Sequence, residues 1–441
     1  MSSRYISRRE FLKQTALFGP ALILAGCQQQ APPTEQPASN TQAPTAIVSR
    51  PITLQFPSWQ QDEPGSSDWW KKRISEFEAA HSNVTIEFTK VANADIASNF
   101  LSRFSAGAPP QIVHLPYLNM FDFASEGFLE PLDDLLSEAD VPENWTALQE
   151  GCKWEGTTYA LLLLAYGYSM IYNEQMYNEN GITAPPTSGP EFVEASQKVM
   201  RAPDIFGTGI CTVPGFNFFI HMQEYIIGAG GNLMTDGRPS ANTPEAVEGV
   251  SWWLDIINAG ATPTGTDTGP MRQMLMEGKM ATYLDGPWGQ GFVAQANPEV
   301  QPHLKVARMP FQNILGGLSN IVAMPMGLPE DEKELVGEFI KSLTTPTAQE
   351  EYLTMYCSPQ PRTDVQVSEE ELLQACPLIT PWYEAFNSPD LVDYFPYGLE
   401  GKTVQLQNLV SEVGQRMITE GGDIQIHLDD LQRRMEELQA S

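Results

Sequence analysis

Val84-Thr85-Ile86-Glu87-Phe88, the segment 96–104 and Gln111-Ile112-Val113-His114-Leu115 decide the fold. The first alternates apolar and polar residues, as a half-buried strand does. The second reads as a helix closed by Gly107. The third is nearly all apolar, as expected of a central strand buried on both faces. Upstream, Ile52-Thr53-Leu54-Gln55-Phe56 reads as another strand. The loop Pro57-Ser58-Trp59-Gln60-Gln61 follows it, then a helix over 69–80 with Trp70, Ile74 and Phe77 on one face. Residues 120–126 read as a helix stopped by Gly127. Alternation of strand and helix predicts an α/β fold with largely parallel strands. Open sheets of this kind bind ligands at the carboxyl ends of their strands, where Trp59 and residues 116–119 fall.

The pattern continues with a strand over 168–172 and a helix over 191–200 introduced by Pro185-Pro186-Thr187. An apolar helix over 216–228 stops at Gly230-Gly231, and a helix over 244–258 follows. Residues 271–277 read as helix, 280–284 as strand, Gly286-Pro287-Trp288-Gly289 as loop, 332–344 as helix and 404–438 as mostly helix.

With 441 residues, 42% of them hydrophobic, the chain can bury a large core and suggests two domains. Lys and Arg number 25 against 55 Asp and Glu, a net charge of −30, which excludes a basic groove for nucleic acid. No apolar run is long enough for a multi-span membrane protein. The chain has no G-x-S-x-G elbow and no H-E-x-x-H motif; its five His are scattered, and Gly278-Lys279 lacks the upstream glycine of a phosphate loop. Among so many acids a pair of carboxylates carries no signal, so no enzyme, metal or cofactor is expected.

The N-terminus is an address. Arg4, Arg8, Arg9 and Lys13 precede a short apolar stretch, and Ser7-Arg8-Arg9-Glu10-Phe11-Leu12-Lys13 resembles a twin-arginine export signal. Leu24-Ala25-Gly26-Cys27 resembles a lipoprotein cleavage box, which makes Cys27 the lipidated first residue of the mature chain. Residues 1–27 are thus expected as a signal peptide and 28–51 as a disordered tether rich in Gln, Ala, Pro, Thr and Ser. Four further cysteines in an exported chain allow two disulfides in three connectivities. Cys357 with Cys376 is the easiest loop to close, and four buried thiols are the alternative.

Five stretches then carry a resemblance. They are Pro110-Gln111-Ile112-Val113 through Pro131-Leu132; Gly156-Thr157-Thr158-Tyr159 through Tyr172-Asn173; Pro185-Pro186-Thr187 with Glu191-Phe192; Glu277-Gly278-Lys279-Met280-Ala281 through Gly286-Pro287-Trp288; and Phe339-Ile340-Lys341 with Pro346, Ala348 and Gln349. In this order the chain resembles the extracellular solute-binding proteins of sugar ABC transporters, the maltose-binding-protein-like class (family 1). The resemblance implies a two-lobed periplasmic-binding-protein-like fold of the class II type, with discontinuous lobes joined by a multi-strand hinge. By position, lobe one is 52–165 plus 318–362 and lobe two 166–317 plus 363–441. It further implies a monomer without cofactors, lipid-anchored through Cys27 to the bilayer at the outer face of the cytoplasmic membrane. Such a protein captures a carbohydrate by lobe closure and delivers it to a membrane permease. The alternatives are a non-sugar solute (a glycerol phosphate ester, a polyamine or a peptide) or an exported glycoside hydrolase.

Sugars offer hydroxyls and C–H faces, so recognition needs aromatic planes and a few polar groups in a concave site. Trp288 is the first candidate, because the family places a stacking Trp in the Gly-Pro-Trp loop; the alternative is packing in a lobe core. Trp59 follows the first strand. Tyr166 lies at the first crossover, where maltose-binding members carry an acidic ligand. Tyr117 and Asn119 lie past the third strand, where the maltose type has Trp and Asp at positions aligned with Leu115 and Leu118. Both departures point away from maltose. Gly316-Gly317 would let backbone approach the ligand or form a plain hinge turn. Phe216 and Asn217 are expected toward the cleft. Arg362 would bond a ligand oxygen or form an interlobe salt bridge, and Tyr397 completes the set. Trp69, Trp70, Trp252 and Trp253 have core-like spacing, and Asp122 and Asp285 are set aside as chance in so acidic a chain.

Overall fold

A computed structural model describes residues 50–441. Cys27, the signal peptide and nearly all of the tether lie outside the described residues. The strands that position the site are, in chain order, β1 (Ile52–Ser58), β2 (Val84–Lys90), β3 (Val113–Pro116), β4 (Leu161–Leu162), β5 (Ala165–Gly167) and β6 (Ser169–Asn173). They continue with β7 (Phe206–Thr208), β8 (Met280–Asp285), β9 (Leu304–Arg308), β10 (Ile314–Leu318), β11 (Asn320–Ala323) and β12 (Leu391–Asp393).

β1 and β2 pair in parallel, with Phe56 opposite Phe88. The alternation along β1 sends Leu54 and Phe56 into the core of the first half, where Trp70 packs edge-on against Phe56 at 4.9 Å. Trp69, Trp70 and Trp253 are buried, and Trp252 is half-buried against Phe311, so all four pack as their spacing predicts. Trp70 also reaches the site, because its indole N–H donates to Gln60 Oε1 (2.8 Å) in the short 3-10 turn that carries Trp59.

Three sheets explain how the halves connect. β3, β11 and β4 form one, β12, β10 and β5 a second, and β9, β6, β8 and β7 a third. The chain leaves the first sheet at β4, crosses the second as β5 and enters the third as β6. It returns from β9 through β10 to β11. The two crossing strands lie antiparallel, with Gly317 opposite Tyr166. The middle sheet is therefore a hinge between two α/β lobes. The expectation of largely parallel strands is corrected here. Pairing is parallel for β1 with β2, β8 with β7 and β10 with β12, and antiparallel for β3 with β11, β11 with β4, β10 with β5, β8 with β6 and β9 with β6. Each outgoing strand meets a returning one, and helical alternation along the chain does not register that return.

Past Phe386 the chain adds β12 to the hinge and ends in two helices, Thr403–Glu420 and Ile424–Ala440, broken at Gly421-Gly422. A disulfide joins Cys357 to Cys376, whereas Cys152 and Cys211 are buried free thiols, so the described cysteines form one bridge rather than two.

The helix Thr403–Glu420 begins against the first half. Thr403 N–H donates to Asp122 Oδ1 at 3.1 Å, and its hydroxyl lies 2.9 Å from Leu118 O and also touches Asp122 Oδ2. That hydroxyl has one proton. Donated to Leu118 O, it leaves Oγ1 to accept from a protonated Asp122. Burial pushes the Asp122 carboxyl up to about 6, in keeping with that arrangement. Between about pH 4 and 6 the folded state thus holds a proton that the unfolded chain releases, and stability falls as pH rises through that window. Urea unfolding at pH 4 and pH 7 should show the wild type losing about 2 kcal/mol relative to Asp122→Asn. Parallel behaviour of the two proteins would remove Asp122 from this account.

Candidate functional site

A cavity of about 620 Å³, its open mouth included, lies against the hinge. Trp59, Gln60, Glu63, Asn93, Pro116 and Tyr356 line it from the side of β1 and β3, and Ser319 and Asn320 from the second crossover. Phe216, Asn217, His221, Thr268, Arg272, Tyr283, Asp285 and Trp288 line it from the other side, with Tyr166 and Tyr168 between. A second space of about 1080 Å³ shares Trp59, Glu63, Asn93, Thr268 and Arg272, so the two form one cleft.

Trp59 stands at the end of β1 because Ser58 caps the short turn, its Oγ accepting from Gln60 N–H (3.0 Å). The indole stacks on His114 with ring centroids 4.2 Å apart and planes 11° apart. His114 is buried on β3 with Nδ1 2.7 Å from Ser58 Oγ, and burial pushes its pKa down to about 3, so the stacked ring is neutral. Gln60 links Trp70 to Tyr356, donating to the Tyr356 hydroxyl at 2.9 Å.

Opposite, Asp285 ends β8 and gathers four donors: Arg272 Nε (2.7 Å) and Nη2 (2.8 Å), Gly286 N–H (3.0 Å) and the Trp288 indole N–H. The Arg272 guanidinium also lies 4.8 Å from the Phe292 ring centroid. Burial works against its charge, and Asp285 outweighs burial, so Arg272 stays protonated. Trp382, buried behind the strand, donates to Asp285 O at 2.9 Å. Trp288 crosses edge-on to Tyr166 at 5.0 Å and to Tyr168 at 6.0 Å. Its ring lies directly over Gly286, where a Cβ would sit 2.3 Å from the indole. The Gly-Pro-Trp loop therefore needs glycine because the tryptophan covers it. His221 accepts from Cys211 N–H (2.8 Å), and burial pushes it down to about 4, again neutral. Glu63 Oε2 accepts from Ser66 (3.0 Å) and Tyr356 (3.4 Å); burial holds its carboxyl above the usual carboxylate range, and Arg272, with Nη1 3.9 Å from Oε1, offsets only part of that rise.

Of the residues singled out by sequence, Trp59, Tyr166, Phe216, Asn217 and Trp288 come together in this cavity. The others lie elsewhere. Tyr117 opens the helix Tyr117–Ser125 and turns into the core between Phe121 and Phe395, its hydroxyl donating to Gly151 O at 2.9 Å. Asn119 is buried on the same helix with its amide unpaired. Gly316 and Gly317 belong to β10 and admit the neighbouring hinge strand: a Cβ at Gly316 would meet Tyr166 O at 2.3 Å. Arg362 donates to Thr344 O (2.7 Å), pairs with Asp364 two residues on, and does not line the cavity. Tyr397 is half exposed and donates to Asp393 at 2.7 Å.

Glu63, Tyr168, Arg272, Tyr283 and Asn320 escaped the sequence reading, and Asp285 was set aside. The strand period of two would have found Tyr168 from Tyr166, and Tyr283 from Asp285. Nothing in the sequence singles out Arg272 or Glu63. Among the described residues no group of His, Cys, Asp and Glu is arranged to hold a metal ion.

The family model of bacterial extracellular solute-binding proteins matches residues 63–350, from Glu63 on one wall through Arg272 and Trp288 on the other. The chain belongs to that family. Its members are binding receptors, not enzymes. A maltotriose-binding protein of Pyrococcus abyssi is 24% identical over 295 residues, covering 65% of this chain and 62% of its own length. The chain thus spans about three-fifths of that relative. Among solved structures, maltose-bound MalE3 of T. maritima superposes with a TM-score of 0.77 at 17% identity, over 88% of this chain and all of the other (100%). UgpB of Mycobacterium tuberculosis, in complex with glycerophosphocholine, gives 0.73 at 18%, over 88% and 98%. At such identities these structures establish the fold: two lobes about a crossing-strand hinge.

Gly286→Ala tests how the loop holds the indole. The added methyl should displace Trp288 and lower stability by about 1–3 kcal/mol in chemical denaturation, with a changed near-ultraviolet tryptophan signal. An unchanged signal would mean that the ring does not rest on the glycine.

Proposed function

We propose that this protein is the substrate-binding component of an ABC importer and captures a carbohydrate by lobe closure, for delivery to a membrane permease. The observation that carries this reading is the convergence of Trp59, Trp288, Tyr166, Tyr168 and Tyr283 on one cavity that also holds carboxylate, guanidinium and amide groups. Flat apolar rings match C–H faces of a sugar, and the polar groups match its hydroxyls. The glycerophosphocholine complex of a protein of the same fold means that the architecture by itself leaves the ligand open.

In this reading lobe one comprises 52–165 plus 318–362, and lobe two 166–317 plus 363–441. Residues from both face each other across the cavity, so a ligand bound there contacts both and favours the closed state. The helix Thr403–Glu420 touches both assigned lobes, Asp122 through Thr403 and Gly215 through Ser411. It ties the lobes near the hinge.

The export signal and Cys27 support a lipid anchor on the outer face of the cytoplasmic membrane, where the 28–51 stretch acts as tether. A thermal-shift panel of mono- and oligosaccharides and polyols should raise the melting temperature for at least one sugar, because a ligand that binds only the folded state stabilises it. Failure of every sugar would defeat the carbohydrate assignment. Separately, Cys27→Ala should move the protein from the membrane fraction to the soluble one; retention in the membrane would rule out the anchor.

A further inference from the structure

Glu63 and Arg272 face one another across the cleft, one beside the turn that follows β1 and the other on the helix Thr268–Met276. Asp285 occupies Nε and Nη2 of the guanidinium and leaves Nη1 toward Glu63. The 3.9 Å between Nη1 and Glu63 Oε1 is too long for a hydrogen bond. It is the right length to be bridged. An oxygen at about 2.7 Å from the carboxylate and about 2.9 Å from the nitrogen subtends an angle of about 90° between them, within reach of a hydroxyl that donates to one and accepts from the other.

We propose that Glu63 and Arg272 read a single ligand hydroxyl from opposite walls and thereby restrict the ligand to an uncharged polyhydroxy compound, rejecting phosphate esters and polyamines alike. This rests on the carbohydrate-binding reading above and names the residues that set its specificity. A phosphate oxygen only accepts; it would satisfy Nη1 and meet the Glu63 carboxylate with like charge. An ammonium only donates; it would satisfy Glu63, leave the Nη1 proton without an acceptor and set two cations in contact. A hydroxyl proton aimed at Glu63, together with Arg272, favours the ionised form of that carboxyl. Three further polar atoms agree. Asn93 Oδ1, Asn320 Oδ1 and Tyr283 Oη are buried without a hydrogen-bond partner, and their residues line the same cavity. Neutral amide and phenol groups of this kind suit hydroxyls and add no net charge.

The test is calorimetric titration of the full mature chain with pentitols, mono- to trisaccharides, glycerol phosphate and spermidine, followed by the same titrations on Glu63→Gln and Glu63→Asp. The wild type should bind at least one uncharged compound and neither charged probe. Glu63→Asp, which keeps the charge but withdraws the oxygen, should weaken the neutral ligand roughly tenfold or more and still reject glycerol phosphate. Glu63→Gln should weaken the neutral ligand and narrow the gap to glycerol phosphate. Circular dichroism and melting confirm that each variant folds; should Gln fail, the Asp variant alone decides. Preferential binding of glycerol phosphate or spermidine by the wild type would overturn the inference while leaving a solute-binding role intact. So would a neutral ligand whose affinity neither substitution changes. Binding of nothing in the panel would overturn the carbohydrate reading and this inference with it.

Discussion

The buried pair of Arg272 and Asp285 is the constraint around which the cleft is built. Two parallel N–H donors meet both carboxylate oxygens, and the same carboxylate holds the Gly286 amide and the Trp288 indole. One side chain at the end of β8 thereby orients a cation, a turn and an aromatic plane. Both charges are well shielded from water, so removal of either partner would leave the other uncompensated, a loss of roughly 3–5 kcal/mol. The rigidity matters more than the stability, because a recognition surface is useful only if its parts keep their spacing.

The opposite wall is built by a different device. Trp59 rests on a neutral histidine, and Gln60 and Tyr356 relay hydrogen bonds from the Trp70 core toward Glu63. The turn there is held to the helix Ser66–Ala80 by the Trp70 indole, which donates to Gln60. The two walls meet at the hinge, where Gly316 admits the carbonyl of Tyr166 and the tyrosines stand beside Trp288. The cleft is thus a junction of two independently supported surfaces.

Much of the fold could be read from the chain. The β1 and β2 alternation, the helix 216–228 and the helix 244–258 have strong local periodicity and appear where expected. The sheet's polarity could not be read, because β10 and β11 pair with strands some 150 or more residues earlier. The site divides in the same way. Trp288 was legible through its Gly-Pro-Trp loop, and Trp59 through its place after a strand. Tyr117 and Asn119 were misplaced because the helix begins immediately after Pro116, which turns both side chains into the core. The pairing of Arg272 with Asp285, 13 residues apart, is a tertiary fact that an excess of acids conceals.

The internal pairing of Arg272 also bears on how a solute arrives. A lone cation at the base of a cleft projects a field into solvent and draws anions inward; one matched by a carboxylate at bonding distance projects little beyond its own neighbourhood. The chain as a whole carries a charge of −30. An electroneutral molecule feels neither, so its encounter rate is set by diffusion and by the width of the mouth, and is indifferent to ionic strength. The same surface charge keeps copies of the protein apart.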